Sequence, residues 1–223
     1  MTMVNPQATT SQSRGIKLTV LAIAVFMAVI VAGFVHRIQS RRVMTATEMK
    51  INGLYLHETP RNIGEFQLID HNGEVFDKAR LEGKWTLVFF GFTFCPDICP
   101  TTLSFLNEFT GQLQGTEAED TDVVMVTVDP ARDTVEQLAT YMPYFNAEFT
   151  GVTGEFLDIH RFATALNTPF RKVPGQDENY LVDHSSNVVL INPRGDYHGF
   201  FKAPLDMAKM KVTYRSARVW WER

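Results

Sequence analysis

The stretch Leu87-Val88-Phe89-Phe90-Gly91-Phe92-Thr93-Phe94-Cys95-Pro96-Asp97-Ile98-Cys99-Pro100 holds both cysteines of the chain. Leu87 to Phe90 is an uninterrupted apolar run and reads as a buried strand. From about Thr101 onward, Leu103, Phe105, Leu106, Phe109 and Leu113 recur at helical spacing. The cysteines therefore fall where a strand turns into a helix. A helix start carries unpaired N–H groups and partial positive charge, which favour a thiolate over a thiol. If the helix already includes Cys95, its i, i+4 relation to Cys99 sets both sulfurs on one face. Such a pair can close a disulfide or chelate one soft metal ion, and the spacing leaves both open.

Around this stretch the composition sets the bounds. The 223 residues are 45% hydrophobic and 21% charged, enough for one well-cored domain plus an appendage. The net charge of −4, with no basic stretch interleaved with aromatics, points away from a nucleic-acid partner. Two cysteines are too few for a disulfide framework.

Residues 1–15 are polar and read as a disordered segment. Residues 16–35 read as a transmembrane anchor: the eighteen residues Leu18 to Val35 carry no charge. As a helix they would span about 27 Å, close to the roughly 30 Å hydrocarbon core of a bilayer. This length, and the poor match of Ala32-Gly33-Phe34 to a small-residue cleavage site, favour an uncleaved anchor over a removed signal. Arg14 and Lys17 flank one side, and Arg37, Arg41 and Arg42 the other. A literal charge count would keep the C-terminal part in the cytoplasm. An N-terminal anchor behind a short basic segment ordinarily exports the chain on its C-terminal side, which puts the globular part outside the cytoplasm. Residues 36–56 read as a tether, 57–215 as the globular domain and 216–223 as a tail.

Within the domain, Phe66 to Ile69 and Glu74 to Phe76 flank an Asn72-Gly73 turn and read as a hairpin. Trp85 to Phe90 and Asp122 to Val128 read as buried strands. The second runs into Asp129-Pro-Ala-Arg-Asp133-Thr134 and a helix from Val135 to Tyr144, with Asp133 and Glu136 at capping-box spacing. Another helix is expected over Glu155 to Leu166. Strands Val188 to Asn192 and Tyr197 to Phe201 form a C-terminal hairpin, and a last helix spans about Leu205 to Thr213. This succession describes a thioredoxin-like α/β domain, a central mixed sheet flanked by helices behind one transmembrane helix.

In that fold the loop before the C-terminal hairpin faces the cysteine loop. It reads Asp183-His184-Ser185-Ser186, so His184 can meet Cys95 and Cys99 across the mouth. Two thiolates and one imidazole make a soft, three-coordinate set. Thiolates select Cu(I), zinc or iron–sulfur clusters, and imidazole suits copper and zinc. A structural zinc site would want a fourth ligand that nothing obvious supplies. The plainer reading of His184 is a turn histidine bonded to a carbonyl. The histidines at 36, 57, 71, 160 and 198 fall in no ligand spacing. Asp129 and Asp133 read as loop and cap residues, and Met207 with Met210 as a helix face. Trp220 and Trp221 fit either packing on the sheet or contact with a membrane.

Four blocks together carry a resemblance: Gly83-Lys84-Trp85, Gly91 to Thr101, Asp129-Pro-Ala-Arg-Asp-Thr134 and Asp183-His184-Ser185. Over roughly Pro60 to Thr213 the chain resembles the Sco/SenC family, membrane-anchored copper chaperones for cytochrome c oxidase assembly. The resemblance implies that Cys95, Cys99 and His184 are ligands for copper, as Cu(I), Cu(II) or both. It implies delivery to the Cu(A) centre of cytochrome c oxidase subunit II, reduction of that subunit's cysteines, or both. A second copper chaperone as donor, and a periplasmic domain on a bacterial inner membrane rather than a mitochondrial one, are implied by the same resemblance. The competing class is a thiol–disulfide oxidoreductase, with Cys95 and Cys99 as its redox pair. The C-x-x-x-C spacing is wider than the C-x-x-C of thioredoxin-like redox enzymes, which favours chelation. A peroxidase is the weakest alternative, because Thr93-Phe94-Cys95 is one residue short of a T-x-x-C motif.

Overall fold

The computed structural model describes residues 8–39, 43–116, 118–174 and 180–222. The chain divides into two units, residues Met1–Val43 and Met44–Arg223. In the first, α1 (Ala8–Gln39) is the described element. Its stretch Ile16–Phe34, 19 residues and nowhere buried, is long and apolar enough to cross a membrane. The helix begins at Ala8, so residues 8–15 of the segment expected to be disordered are helical; residues 1–7 lie outside the described residues. Once an apolar helix is nucleated, each flanking residue adds one hydrogen bond for one residue fixed, so the helix runs on into polar sequence.

In the second unit the chain runs α2 (Ala46–Ile51), β1 (Leu54–Arg61), β2 (Gln67–Asp70), β3 (Val75–Asp77), β4 (Trp85–Gly91) and α3 (Ile98–Gly111). It continues through β5 (Thr121–Thr127), α4 (Val135–Tyr141), β6 (Thr150–Thr153), α5 (Phe156–Ala165), β7 (Arg171–Lys172) and β8 (Val182–Asp183). It closes with β9 (Val188–Ile191), β10 (Tyr197–Phe201) and α6 (Met207–Trp221). Eight strands make one mixed sheet in the order β1-β10-β9-β4-β5-β6-β2-β3, and β7 pairs with β8 in a separate ribbon. The β4–β5 and β5–β6 pairs are parallel and the others antiparallel.

Strand β4 is buried at every residue because both faces of the sheet are covered. Successive side chains alternate between the faces. Trp85 meets Tyr214 of α6 on one side, with Phe109 of α3 against the same tyrosine, and Phe90 meets Phe162 of α5 on the other. The hairpin, the central strands and the α5 segment lie where the sequence pattern puts them.

Three further readings differ from the structure. Residues 46–56 are folded rather than tether: Thr45 and Glu48 form a capping box that starts α2, and β1 pairs with β10 as the sheet's edge. The Thr-x-x-Glu pattern was the available signal. The last helix runs to Trp221, so most of the expected 216–223 tail is helical. Arg218, within this stretch, is buried, donating to Asp120 at 2.6 Å with its guanidinium over the Trp85 ring. Asp133 is not a cap. Thr134 takes that place, accepting the Gln137 N–H, and Asp133 turns inward.

Candidate metal centre

Strand β4 ends at Gly91, and the chain turns through residues 92–97 before α3 begins. The turn is closed by the Cys95 N–H donating to the Phe92 carbonyl at 3.2 Å. Helix α3 therefore includes Cys99 but not Cys95. Asp97, at the cap position, makes no side-chain capping bond. The Cys95 sulfur instead receives the Cys99 N–H at 3.4 Å, satisfying one of the first-turn donors. The two sulfurs thus face one another although only one lies on the helix. Both cysteines are free thiols, Cys95 half-buried and Cys99 buried.

The β8–β9 loop delivers His184 to the same mouth. Its Nε2 lies 3.8 Å from Cys99 Sγ, and the ligand atoms of Cys95, Cys99 and His184 all lie within 4.8 Å of one another. His184 Nδ1 is 3.1 Å from the Ser185 carbonyl. A proton on Nδ1 donates there and leaves the Nε2 lone pair facing the sulfurs. Phe89 and Phe92 pack against the ring edge-on. Burial lowers the pKa of His184, against a smaller opposing pull from Ser185 and Asp183, which favours the neutral imidazole that metal binding requires.

The acidity expected at a helix start does not hold for Cys99. Burial, then the contact with Cys95, pushes its thiol well above the ordinary range. The helix end is outweighed because Cys99 is sealed from water. A bound cation would reverse that balance, since a coordinating thiol is deprotonated outright. Three donors on soft-metal bonds of about 2.1–2.3 Å would stand roughly 3.8 Å apart in a trigonal set. The Cys99–His184 separation already matches that value. Among the described residues this is the one group of three such side chains close enough to hold an ion.

Behind the mouth stands a support that the sequence reading missed. Buried Asp133 accepts from Thr93 N–H at 3.0 Å, Thr93 Oγ1 at 2.7 Å and Thr127 Oγ1 at 2.6 Å. It thereby ties the cysteine turn to the end of β5. Burial raises its pKa, and the three donors pull it back. Arg132 pairs with Asp129 and donates to the Tyr180 carbonyl at 2.9 Å, while Tyr180 Oη donates to Asp129 at 2.6 Å. The Asp-Pro-x-Arg-Asp pattern after a buried strand was the signal. Among the described residues, the buried Tyr141 Oη has no hydrogen-bond partner. Burial, then Cys99, Cys95 and Asp133, raises its pKa. Gly91 leaves room for a sulfur: a Cβ there would stand 3.1 Å from Cys99 Sγ and 2.7 Å from Phe89 Cε1.

A thioredoxin-like α/β domain with two thiols and an imidazole at one mouth defines a class of soft-metal or thiol-chemistry proteins. Residues 56–217 match the SCO1/SenC family model, and the chain belongs to that family. A relative from Stutzerimonas stutzeri is 43% identical over 147 residues, covering 66% of this chain and 72% of its own. The crystal structure of Arabidopsis thaliana ScoI with copper bound is similar at a TM-score of 0.64 and 32% identity, over 72% of this chain and 98% of that one. Yeast Sco1 with copper bound gives 0.62 and 32%, over 72% and 89%.

Proposed function

We propose that this protein is a copper carrier that holds the ion on Cys95 Sγ, Cys99 Sγ and His184 Nε2 and delivers it to the Cu(A) centre of cytochrome c oxidase subunit II. The carrying observation is the convergence of those three donors, with the neutral imidazole nitrogen 3.8 Å from a sulfur. The copper-bound solved relatives support the choice of ion. Three-coordination suits a carrier because a receiver's ligand can enter before the ion leaves. Half-exposed Cys95 is the side from which it would enter. The apolar stretch Ile16–Phe34 supports a membrane anchor. A periplasmic domain on a bacterial inner membrane, loaded by a donor chaperone, belongs to the same proposal.

One observation favours a second role at the same residues. Two free thiols facing across one turn, one of them half-exposed, can reduce a partner's disulfide. Cys95 as thiolate would attack the disulfide and release one partner thiol. Cys99 would then resolve the mixed disulfide, leaving Cys95–Cys99 oxidised and the partner fully reduced.

A copper titration of the reduced protein separates these readings from a structural role. His184→Ala keeps two thiolates, so Cu(I) binding persists while Cu(II) affinity and its sulfur-to-copper absorption are lost. Cys95→Ala or Cys99→Ala damages both. Oxidised protein takes up little Cu(I) until reduced. Parent-like spectra in His184→Ala would remove that residue from the site.

A further inference from the structure

Lys50, Ile51, Lys202, Asp206 and Lys209 rim a recess of about 300 Å³ between α2 and the turn from β10 into α6. The three lysines are exposed, and Ile51 is 76% exposed. None of these ammonium groups is paired with a carboxylate among the described residues. The nearby carboxylates are engaged: Asp206 caps α6 by accepting the Lys209 N–H at 2.9 Å, and Glu48 accepts from Thr45 at 2.8 Å. An unmatched cationic rim with an apolar tip is unexpected on a chain of net charge −4.

The recess lies at the same end of the sheet as the metal centre. Phe201 pairs with Val188, and Val188 with Phe89, two residues before Gly91. Three strand spacings, roughly 15 Å, separate β1 from β4. Ala203 at the recess donates to Asn187 Oδ1 at 3.0 Å, and the Asn187 N–H donates to Ser185 Oγ at 3.2 Å. Ser185 is the residue whose carbonyl holds His184 Nδ1.

The covalent chain identifies the occupant. Only residues 40–44 separate the end of α1 at Gln39 from Thr45, the cap of α2, and Arg41 and Arg42 are among them. Fully extended, that link reaches roughly 20 Å. We infer that the Lys50–Ile51–Lys202–Lys209 surface docks on an anionic phospholipid bilayer, the lysines on headgroup phosphates and Ile51 in the interfacial layer, so that the Cys95–Cys99–His184 mouth is held at the lipid surface. Lysines near an anionic surface and a protruding apolar side chain are the two forces that hold proteins at membranes. The inference rests on the membrane-anchor reading.

The full chain is reconstituted in nanodiscs of pure phosphatidylcholine and in nanodiscs with a third phosphatidylglycerol, and amide exchange is followed by mass spectrometry. Exchange over residues 46–53 and 202–210 slows at least threefold in the anionic discs, and the slowing disappears at 0.5 M salt. It also disappears in Lys50→Glu/Lys202→Glu/Lys209→Glu, whose unfolding midpoint is checked against the parent. Ile51→Ser, which leaves every charge in place, weakens it. Inorganic phosphate added to neutral discs leaves exchange unchanged; slowing by phosphate alone would mean an anion site rather than a bilayer and overturns the inference. Equal exchange in both discs, or slowing that survives the triple variant, overturns it too. A chain stripped from the discs by alkaline carbonate overturns the anchor reading and this inference together, whereas a retained chain with equal exchange overturns this inference alone.

Discussion

The Arg132 guanidinium lies 3.8 Å from the centre of the Tyr180 ring. The same guanidinium is 4.9 Å from the Phe94 ring and 5.7 Å from Phe92. Phe92 and Phe94 belong to the cysteine turn, while Tyr180 opens the segment that leads through β8 to His184. One cation therefore joins the two halves of the mouth, which lie far apart in sequence. Its charge is balanced by Asp129, which is 4% exposed.

Arg132→Gln removes the stacking cation and leaves Asp129 buried without its partner. The cost in stability is about 2–3 kcal/mol, from the loss of a largely buried pair and a cation–π contact. Arg132→Lys keeps the charge but not the planar fork that reaches the Tyr180 carbonyl, so it recovers only part of that loss. Urea midpoints of the two variants check the order. In both, Cu(II) binding should weaken more than Cu(I) binding if, as proposed, Cu(II) depends on His184 and the two thiolates alone can hold Cu(I).

Asp133→Asn replaces an acceptor of three hydrogen bonds by a group that must turn an N–H toward a donor. One of Thr93 or Thr127 is left unsatisfied in a buried site, at a cost of about 1–3 kcal/mol. Since Thr93 is two residues from Cys95, Cu(I) affinity should fall as well. A variant with parent stability and parent affinity would show that the carboxylate does not hold the turn.

The cysteine centre was legible in the sequence because the apolar run Leu87 to Phe90 admits one burial pattern, and it places Cys95 and Cys99 at a strand's end. The fold allowed His184 to meet that end, since the loop before β9 faces it. The residues alone equally allowed a turn histidine, and the Ser185 carbonyl does hold its Nδ1. The support behind the mouth was not legible. Asp133 sits one residue before a helix and resembles a cap, but Thr134 beside it has the extended backbone that accepts the Gln137 N–H. Whether an aspartate near a helix start turns outward or inward depends on what β5 presents, here Thr127, and that is a tertiary fact. The rise in the Cys99 pKa was hidden for a related reason. Burial is a property of the assembled core, whereas a helix terminus can be read locally. The reach of α6 was hidden for the same reason: Arg218 is buried against Asp120, a tertiary pairing that the local pattern of residues 216–223 does not show.

Gly91→Ala tests how closely the sulfur is packed. The new methyl carbon would stand 2.7 Å from Phe89 Cε1 and 3.1 Å from Cys99 Sγ, so the ring and the sulfur must both shift. Overpacking of this kind costs about 1–3 kcal/mol. The displaced sulfur should lower copper affinity even at temperatures where the variant is fully folded, and a titration well below the melting transition separates the two effects. Parent-like affinity there would mean that Phe89 alone absorbs the strain.

The last prediction concerns acid stability, and it arises away from the metal centre. His198 is 7% exposed and stands edge-on to Trp85 at 5.1 Å and to Trp221 at 5.6 Å. Burial first, then His57 and Arg194, holds its pKa down at about 4. The unfolded imidazole binds a proton near pH 6.5, whereas the folded one does so only near pH 4, so the unfolded chain takes up more protons between these values. The stability contributed by the neutral ring is therefore complete above pH 6.5 and is lost as the pH falls through 4. At 1.36 kcal/mol per pH unit its upper limit is roughly 3 kcal/mol. His57, whose pKa is also lowered by burial and by Arg61, adds in the same direction. Urea unfolding followed by tryptophan emission should give midpoints that decline steadily from pH 6.5 to pH 4. His198→Gln, neutral throughout, should be less stable than the parent at pH 7 but should decline much less over that window. If the variant lost stability with the parent's slope, the titrating group would have to be another one.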